Sequence, residues 1–280
     1  MAEQPIPAAR WLAKKAARMG VAAATALPSL AEPLWDRRPR VRVLTYHRFG
    51  DARRAPFTVS AADFERQMKL VAELGKAVSL DDLRAHLDGR RTLADGSVLV
   101  TMDDGDPSVL EIAAPILKRY SVPSVAFVLG GAPEGFEMMT PDQLRRLPED
   151  GIEVASHSMS HRSMGRIPLQ DARREARESR RRLEDVMGRP VTAFAFPFGT
   201  RADYSPEVAE VLQEEGYDLA FTSQHGAVRP GLDPMLLPRV KVESGDPAWL
   251  FPLLCRGAMD AWRLIDVGLQ GLQRPVPASA

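Results

Sequence analysis

The chain has 280 residues, of which 45% are hydrophobic and 26% are charged, as in an ordinary soluble globular protein. Its 37 lysines and arginines balance its 37 aspartates and glutamates, so no bulk charge attracts it to nucleic acid or to an anionic membrane. The only cysteine, Cys255, excludes an internal disulfide and a cysteine-based metal site. No apolar run approaches the roughly 20 residues that cross a bilayer.

The N-terminal part of the chain, residues 1–40, predicts an extension outside the main domain. A basic cluster between residues 10 and 18 precedes the alanine-rich residues 19–27, an order that also occurs in signal peptides. Because the cluster starts late and the segment holds few large apolar residues, we favour a helical or partly disordered extension over a cleaved signal peptide. The sequence does not choose between the cytoplasm and the cell envelope.

Strand-like and helix-like patterns alternate between residues 41 and 242. Short apolar runs bounded by glycine or polar clusters predict buried parallel strands, and the amphipathic stretches between them predict helices. About eight strands favour a distorted (β/α) barrel of seven or eight parallel strands, with helical extensions at both ends, over an open doubly wound sheet. The predicted strands are residues 41–46, 76–79, 98–102, 124–129, 152–156, 192–196, 218–222 and 236–242.

One predicted helix bears directly on function, because it follows an acidic motif. Asp106 and Pro107 have the residue types of an N-cap and a first helical position. Apolar residues then mark one face over residues 109–120, and Pro115 within them predicts a kink or a delayed helix start.

The C-terminal residues 246–280 predict one or two amphipathic helices, from the apolar residues spread over 249–269. Such helices more often cover a core than contact a membrane, although peripheral membrane contact through the terminal helices stays open. The predicted organisation is therefore a catalytic domain over residues 41–245 with appendages at residues 1–40 and 246–280.

Chemically active side chains follow two of the predicted strands. Asp103 and Asp104 end one apolar run, and His157 ends another, with His161 four residues further on. Catalytic groups in alternating strand–helix proteins collect where strands end, so these side chains could assemble a divalent-metal hydrolase. The alternative is that the carboxylates cap the following helix and the histidines are polar loop residues.

Three motifs, in this order, resemble those of the polysaccharide deacetylases, the NodB-homology or carbohydrate esterase family 4. Residues 101–105, Thr-Met-Asp-Asp-Gly, resemble the family's Thr-Phe-Asp-Asp-Gly. Residues 157–161 match its His-Ser/Thr-x-x-His, and residues 194–199 resemble a variant of its third motif. The resemblance covers about residues 41–242. It implies a metal-dependent deacetylase that hydrolyses the N-acetyl amide of an amino sugar in a polysaccharide, an oligosaccharide or a lipid-linked glycan.

The resemblance implies that Asp104, His157 and His161 bind one divalent metal ion. Two imidazoles and a carboxylate suit Zn²⁺ first, with Fe, Co or Ni as alternatives. The two histidines can face one ion if a helical turn begins at His157. By the same resemblance Asp103 is the general base that takes a proton from the attacking water, the alternative being a structural carboxylate near the metal.

The general acid departs from the usual family order. Most members carry the catalytic histidine near the end of the domain, but no histidine follows His225 in this chain. Tyr46-His47 ends the first predicted strand and resembles the element of circularly permuted deacetylases, so we predict His47 as the general acid. His225, which also follows a predicted strand, is the competing candidate, and His86 is expected to be an ordinary surface residue.

Substrate-side residues are predicted from the third motif. Phe198 aligns with the family's tyrosine, whose backbone N–H helps to stabilise the oxyanion, while Ala195 replaces its arginine. Arg239 is a candidate to orient Asp103 in place of that arginine, the alternative being a plain structural ion pair. Phe198 and Arg239 thus complete the predicted substrate-binding side of the site.

Two other functions compete with the deacetylase. Ala195 and Asp106, which stands where the family often has an aromatic residue, suggest a degenerate glycan-binding or scaffold protein. A metal hydrolase of another small amide or ester is the second alternative. For the deacetylase and for the glycan-binding protein, the partner is a carbohydrate. The loops 49–58 and 130–139 are expected to shape the groove, but their residues do not identify the sugar.

Overall fold

A curled sheet of parallel strands forms the centre of the molecule and gives it the form of a distorted (β/α) barrel, which confirms the predicted fold class. The computed structural model describes residues 5–31 and 38–268. The strands are β1 (Val41–Tyr46), β2 (Arg48–Phe49), β3 (Thr58–Val59), β4 (Ser97–Met102), β5 (Ser124–Val128), β6 (Ile152–Ser156), β7 (Ala193–Ala195), β8 (Leu219–Phe221) and β9 (Val240–Lys241). Within these residues, seven strands form the main sheet in the order β8-β7-β6-β5-β4-β1-β9, and β2 pairs with β3 in a separate two-stranded sheet.

Helices connect the strands and cover the outside of the sheet. Pro115 lies in the first turn of its helix, after a π-type turn at Val109–Ala113, so the regular helix starts late, as a proline at this position predicts. The helices are α1 (Ala8–Ala31), α2 (Ala61–Glu73), α3 (Leu80–Leu87), α4 (Ala114–Tyr120), α5 (Pro141–Arg146), α6 (Leu169–Met187), α7 (Pro206–Glu214), α8 (Leu250–Cys255) and α9 (Trp262–Gly268).

The predicted strand at residues 76–79 is wrong. This segment meets the sheet at a single bridge, between Ala77 and Val98. Ser79 ends the extended stretch because its side chain caps α3, accepting a hydrogen bond from the backbone N–H of Asp82. The curl of the sheet is completed elsewhere, by a bridge between Phe221 of β8 and Leu237, in the segment that leads into β9.

Two hydrophobic clusters lie on the two faces of the curled sheet. Alternate residues of the strands, such as Val43, Leu99 and Phe127, fill its interior together with Leu80 and Leu83 of α3. The remaining strand residues pack outward against the other helices. Because α3 turns its inner side to the barrel, His86 is 2% exposed and its Nδ1 accepts a hydrogen bond from the Leu93 N–H. The expectation that His86 is a surface residue is therefore wrong.

The N-terminal helix α1 is attached to the segment after β9 by buried ion pairs. Lys15 Nζ lies 3.2 Å from a carboxylate oxygen of Glu243 and 2.8 Å from one of Asp246. Arg18 contacts the same two carboxylates, at 3.3 and 2.7 Å. Residues 1–4 and 32–37 of the predicted N-terminal extension, and residues 269–280 of the predicted C-terminal segment, lie outside the described residues. Among the described helices none is long and apolar enough to cross a bilayer.

Candidate active site

The carboxyl ends of neighbouring strands carry the candidate catalytic residues. His47 follows β1, Asp103 and Asp104 follow β4, and His157 follows β6. β4 lies next to β1 in the sheet, and only β5 separates it from β6. Since parallel strands end at one edge of the sheet, this order brings the four side chains to one place.

Asp103 and Asp104 separate because the backbone turns between them. Asp103 continues the alternation of β4 into the barrel interior, and its N–H donates to the Tyr46 carbonyl at 2.9 Å. Asp104 and Gly105 then adopt positive φ angles of 75° and 78°. A Cβ at Gly105 would lie 2.9 Å from Cγ1 of Val128, so the turn requires glycine at this position. The two adjacent carboxylates therefore reach different partners.

Asp104, His157 and His161 form a group that can hold a metal ion. Oδ1 of Asp104 lies 3.5 Å from Nε2 of His157 and 3.5 Å from Nε2 of His161. The ligand atoms of the three residues all lie within 4.8 Å of one another. A single ion can contact all three side chains at such a spacing after small adjustments.

The hydrogen bonding of His157 supports a cation at this place. Its Nδ1 lies 2.8 Å from the carbonyl oxygen of Ala195, which only accepts, so Nδ1 carries a proton. In the neutral imidazole, Nε2 is then an acceptor that faces the carboxylate of Asp104. Two acceptors in contact require either a second proton or a metal ion between them.

Both pKa shifts at this contact follow from the same charges. Burial opposes the charged form of His157, but the carboxylates of Asp103 and Asp104 outweigh it, so the pKa of His157 is raised. Burial alone would raise the pKa of Asp104, yet its contacts with His157 and His161 hold that pKa well below its usual value. The carboxylate is thus ionised and ready to bind a cation at neutral pH.

A loop brings the two histidines together, and the helical turn at His157 that would let them face one ion is not formed. Ser158 and His161 have positive φ angles of 71° and 59°, which no helix contains. The Ser158 hydroxyl accepts a hydrogen bond from the His161 N–H at 3.0 Å. This backbone folds the loop back on itself, so that both imidazoles face Asp104.

Glu175 of α6 fixes that loop from behind. Its Oε2 accepts hydrogen bonds from the N–H groups of Met159 and Ser160, at 2.9 and 2.8 Å, and its Oε1 accepts from the Ser160 hydroxyl. The Glu175 side chain is buried, so its charge is compensated mainly by these donors. The two residues between the histidines are thereby tied to a long helix.

Asp103 is held by Arg239, the residue that precedes β9. The two guanidinium Nη atoms donate to the two carboxylate oxygens, each at 2.7 Å. Nε of Arg239 donates to the Thr222 carbonyl at 3.0 Å, and Nη1 also reaches the Thr101 hydroxyl at 3.2 Å. Arg239 is 1% exposed, so it contacts the carboxylate and the barrel wall, not the surface. Burial would raise the pKa of Asp103, but Arg239, together with His157 and His47, outweighs burial, and the pKa is lowered.

His47 lies in the field of the same two carboxylates. Burial lowers the pKa of His47, and the charges of Asp104 and Asp103 act in the opposite direction. The ring packs against Phe57 at a centroid distance of 4.8 Å. Its Nδ1 is buried and has no hydrogen-bond partner within the described part of the chain. Packing, and not a hydrogen bond at Nδ1, therefore sets the orientation of this ring.

The structure places His225 in a different environment. Its Nδ1 lies 3.0 Å from a carboxylate oxygen of Asp266, and its ring is near Trp262 of α9. The charges that act on it are those of Asp266, Lys241 and Arg18, and not those of the two candidate site aspartates. Of the two candidate acids, only His47 is grouped with Asp103 and Asp104.

Two phenylalanine rings pack against the outer histidine. Phe198, with a φ of 60°, lies with its ring 4.7 Å from that of His161, and Phe136 lies at 5.1 Å. Phe198 is 38% exposed, so part of its ring faces solvent at the rim of the site. A sugar approaching the three possible metal ligands would meet this aromatic rim.

The residues that sequence reasoning missed come from loops and from a helix. Phe136 and Phe57 lie in the two loops expected to shape the groove, but nothing in those loops singles them out. Glu175 lies in a helix rich in charged residues. The sequence signal for its burial was its position on the apolar face of this helix, beside Ala172 and Ala176.

The family model for polysaccharide deacetylases matches residues 90–220. This part of the chain is a polysaccharide deacetylase domain. Enzymes with this domain are hydrolases that act on carbon–nitrogen bonds other than peptide bonds, and the chain is an enzyme of this type. The matched residues include the strand ends that carry Asp103, Asp104 and His157. His47 and Arg239 lie outside the match, His47 directly after β1 and Arg239 directly before β9.

Similarity to single proteins extends further along this deacetylase. The Bacillus subtilis (strain 168) protein YxkH, which carries the family's name, is 24% identical over 248 residues, covering 87% of this chain and 86% of YxkH. The poly-β-1,6-N-acetyl-D-glucosamine N-deacetylase of Staphylococcus aureus (strain MRSA252) is 24% identical over 201 residues, 66% of this chain and 68% of that protein. The structure of IcaB from Ammonifex degensii superposes with a TM-score of 0.68 at 28% identity, covering 79% of this chain and 97% of IcaB.

Proposed function

We propose that this deacetylase removes acetyl groups from N-acetylated amino sugars of a polysaccharide, in a reaction that depends on one divalent metal ion. One observation carries the proposal: Asp104, His157 and His161 face one another beside a second buried carboxylate and a histidine. A metal-ligand group, a base and an acid at one strand edge are the parts that amide hydrolysis requires.

Asp104, His157 and His161 would hold the metal ion, with zinc as the first expectation and Fe, Co or Ni as alternatives. When bound, such an ion lowers the pKa of a coordinated water and stabilises negative charge on the carbonyl oxygen of the substrate. The three side chains leave further coordination positions open for water and substrate.

Asp103 would accept the proton of the attacking water. Arg239 serves this step in two ways, because it keeps the carboxylate ionised and holds it in one orientation through a bidentate contact. Arg239 therefore takes the place that the missing arginine of the third motif leaves at Ala195.

His47 would donate a proton to the departing nitrogen. Since Nδ1 is enclosed, Nε2 is the ring nitrogen that can meet the substrate. This assignment makes the enzyme a circularly permuted type, with the catalytic histidine on the first strand of the barrel. The backbone N–H of Phe198 would assist the developing oxyanion, a contribution typically worth about 3–4 kcal/mol.

The first substrate to test is a β-1,6-linked N-acetylglucosamine polymer. The Staphylococcus aureus relative is named for this substrate, and the similarity covers two thirds of both chains. The partly exposed aromatic rim at Phe198 suits a sugar, whose apolar ring face packs on aromatic side chains. The catalytic domain would comprise residues 41–245, and membrane contact of the terminal helices stays a prediction from the sequence.

Acetate release from β-1,6-linked N-acetylglucosamine oligomers, measured with bound metal on the same samples, tests the proposal. The unaltered enzyme should release acetate, lose this activity after chelation and regain it with zinc. Asp103→Asn should keep the metal and lose turnover, whereas His157→Ala should lose both. Oligomer binding without acetate release under every metal would instead favour the degenerate glycan-binding protein. Release of acetate only from small esters would favour the other hydrolase.

A further inference from the structure

The residues just after His47 are hydrogen-bonded to the residues just after Asp104. We propose that Arg48, Asp106 and Ser108, here called the latch, position His47 as the proton donor. The inference rests on the proposed role of His47 as general acid. It gives a function to Asp106, to which the proposed metal-binding and acid–base roles assign none.

The imidazole of His47 needs such support, because no group in the described part of the chain forms a hydrogen bond with its Nδ1. Catalytic histidines are commonly oriented by a carboxylate or a carbonyl at Nδ1. Here Nδ1 of His47 is buried without a partner among the described residues, and Phe57 packs against the ring. The position of the ring therefore depends on the backbone that carries it.

The latch consists of an ion pair and three hydrogen bonds. Nε of Arg48 lies 3.0 Å from Oδ2 of Asp106, and both side chains are largely shielded from solvent. Oδ1 of Asp106 accepts from the N–H of Ser108 at 3.0 Å and from its hydroxyl at 2.6 Å. The Ser108 Oγ in turn accepts from the backbone N–H of Phe49 at 3.0 Å. Both residues that follow His47 are thus bound to the loop after Asp104.

The latch lies where the sheet no longer holds these two segments together. The pairing of β1 with β4 ends at Tyr46 and Met102, followed by one further bond from the Asp103 N–H to Tyr46. Over the described residues, no backbone–backbone hydrogen bond joins residues 47–50 to residues 104–108. Past the sheet, the polar contacts of the latch, together with the packing of Phe49, therefore hold the distance between His47 and the two aspartates.

Proton donation is sensitive to this distance, which gives the inference a specific signature. Amide hydrolysis requires a proton on the departing nitrogen, whereas a 4-nitrophenyl ester expels a stable anion without one. Displacement of a reacting group by about 1 Å can cost up to about 100-fold in rate. Loss of the latch should therefore slow amide hydrolysis far more than hydrolysis of an activated ester.

The experiment compares kcat on a β-1,6-linked N-acetylglucosamine oligomer with kcat on 4-nitrophenyl acetate. Asp106→Asn keeps an acceptor for Ser108 but removes the charge that binds Arg48, and Arg48→Gln removes the other partner. Each should lower amide turnover about 10-fold or more, change ester turnover less than about 2-fold, and keep bound zinc. The double variant should lose no more than either single one, and Arg48→Lys should lose less than Arg48→Gln.

Two reference variants make the outcomes separable. Asp88→Asn, which breaks the exposed pair of Asp88 with Arg90, should change neither rate. His47→Ala should itself lose amide turnover selectively, and if it does not, the proposed role of His47 fails. If His47→Ala shows this selectivity while the latch variants lose both activities equally, lose zinc or lose nothing, the latch inference alone is overturned.

Discussion

The two Nη atoms of Arg239 donate hydrogen bonds to the two carboxylate oxygens of Asp103, each at 2.7 Å, in a pair that is almost completely buried. The pair joins the end of β4 to the start of β9, two strands that lie on either side of β1. The carboxylate proposed as the general base is thereby held by the segment that completes the barrel. Stability and catalysis should depend on this one contact together.

Removing the guanidinium should destabilise the protein strongly. In Arg239→Met the carboxylate of Asp103 stays buried without a partner, which costs about 3–5 kcal/mol in comparable buried pairs. Arg239→Lys keeps the charge but loses the bidentate geometry, so its loss should be smaller. Urea unfolding of both variants measures the difference, with the exposed Asp88→Asn as the control. Equal stability of Arg239→Met and the unaltered enzyme would contradict this expectation.

The pH dependence of activity should also change when the guanidinium is removed. Burial favours protonated Asp103, but Arg239, His157 and His47 together outweigh burial, so the pKa of the folded carboxyl group is lowered, with Arg239 as the strongest lowering influence. A lowered pKa means that the carboxylate of Asp103 stays ionised as the pH falls. The stability that the pair contributes is lost progressively as the pH falls from the unfolded pKa of this carboxyl group through its lower folded pKa. In Arg239→Lys the acidic limb of the rate profile should move to higher pH. A limb that stays in place would show that Arg239 does not control the ionisation of Asp103.

Glu175→Gln should weaken metal binding without unfolding the protein. Glutamine keeps one acceptor oxygen for the loop between the histidines, but it lacks the charge and the second acceptor. Loss of such supporting contacts typically lowers metal affinity about 10–100-fold. Zinc titration by calorimetry measures the effect, with Glu178→Gln on the exposed side of the same helix as the matched control. Unchanged zinc affinity with normal stability would remove Glu175 from the metal site.

The attachment of α1 should weaken in acid because of Glu243. Burial alone would raise the pKa of Glu243, but Arg18, Lys14 and Lys15 lower it to about 2, against an unfolded value of 4.5. Because the folded pKa is the lower one, this carboxylate stabilises the protein above about pH 4.5, and its contribution is lost as the pH falls from there towards 2.

Hydrogen exchange of the α1 amides at pH 5 and at pH 3 measures this loss. After correction for the intrinsic exchange rates, the difference gives the change in the free energy of opening of α1 with pH. In Glu243→Gln the protection should be low at both pH values and should depend less on pH. Protection of α1 that falls equally with pH in both proteins would assign the effect to other carboxylates.

The strands could be predicted where hydrophobic runs are continuous, because both faces of these strands are buried. Residues 76–79 have the same pattern but form no strand, since Ser79 begins a helix after a single bridge to Val98. The burial of His86 also could not be predicted from local sequence. A polar residue in a short amphipathic helix gives no sign that the helix lies against the barrel interior.

The composition of the metal-ligand group could be proposed from motifs, but its geometry could not. Spacing alone suggested a helical turn between His157 and His161, whereas two positive φ angles and Glu175 form the observed loop. Glu175 is distant in sequence from the residues it holds, and contacts of this kind leave no local pattern. For Arg239 the sequence leaves two alternatives, orientation of Asp103 or a plain structural ion pair, and the fold shows that the carboxylate it contacts is that of Asp103.

The position of β1 in the sheet has a consequence for synthesis of the chain. Leu44 of β1 pairs with Val240 of β9, which lies about 200 residues further along the chain. During synthesis, one edge of β1 therefore stays unpaired until the ribosome has made β9. Contacts between distant parts of a chain slow folding and leave strand edges exposed meanwhile. A nascent chain interrupted before β9 would lack both Arg239 and the last strand, and Asp103 would be left without its bidentate partner.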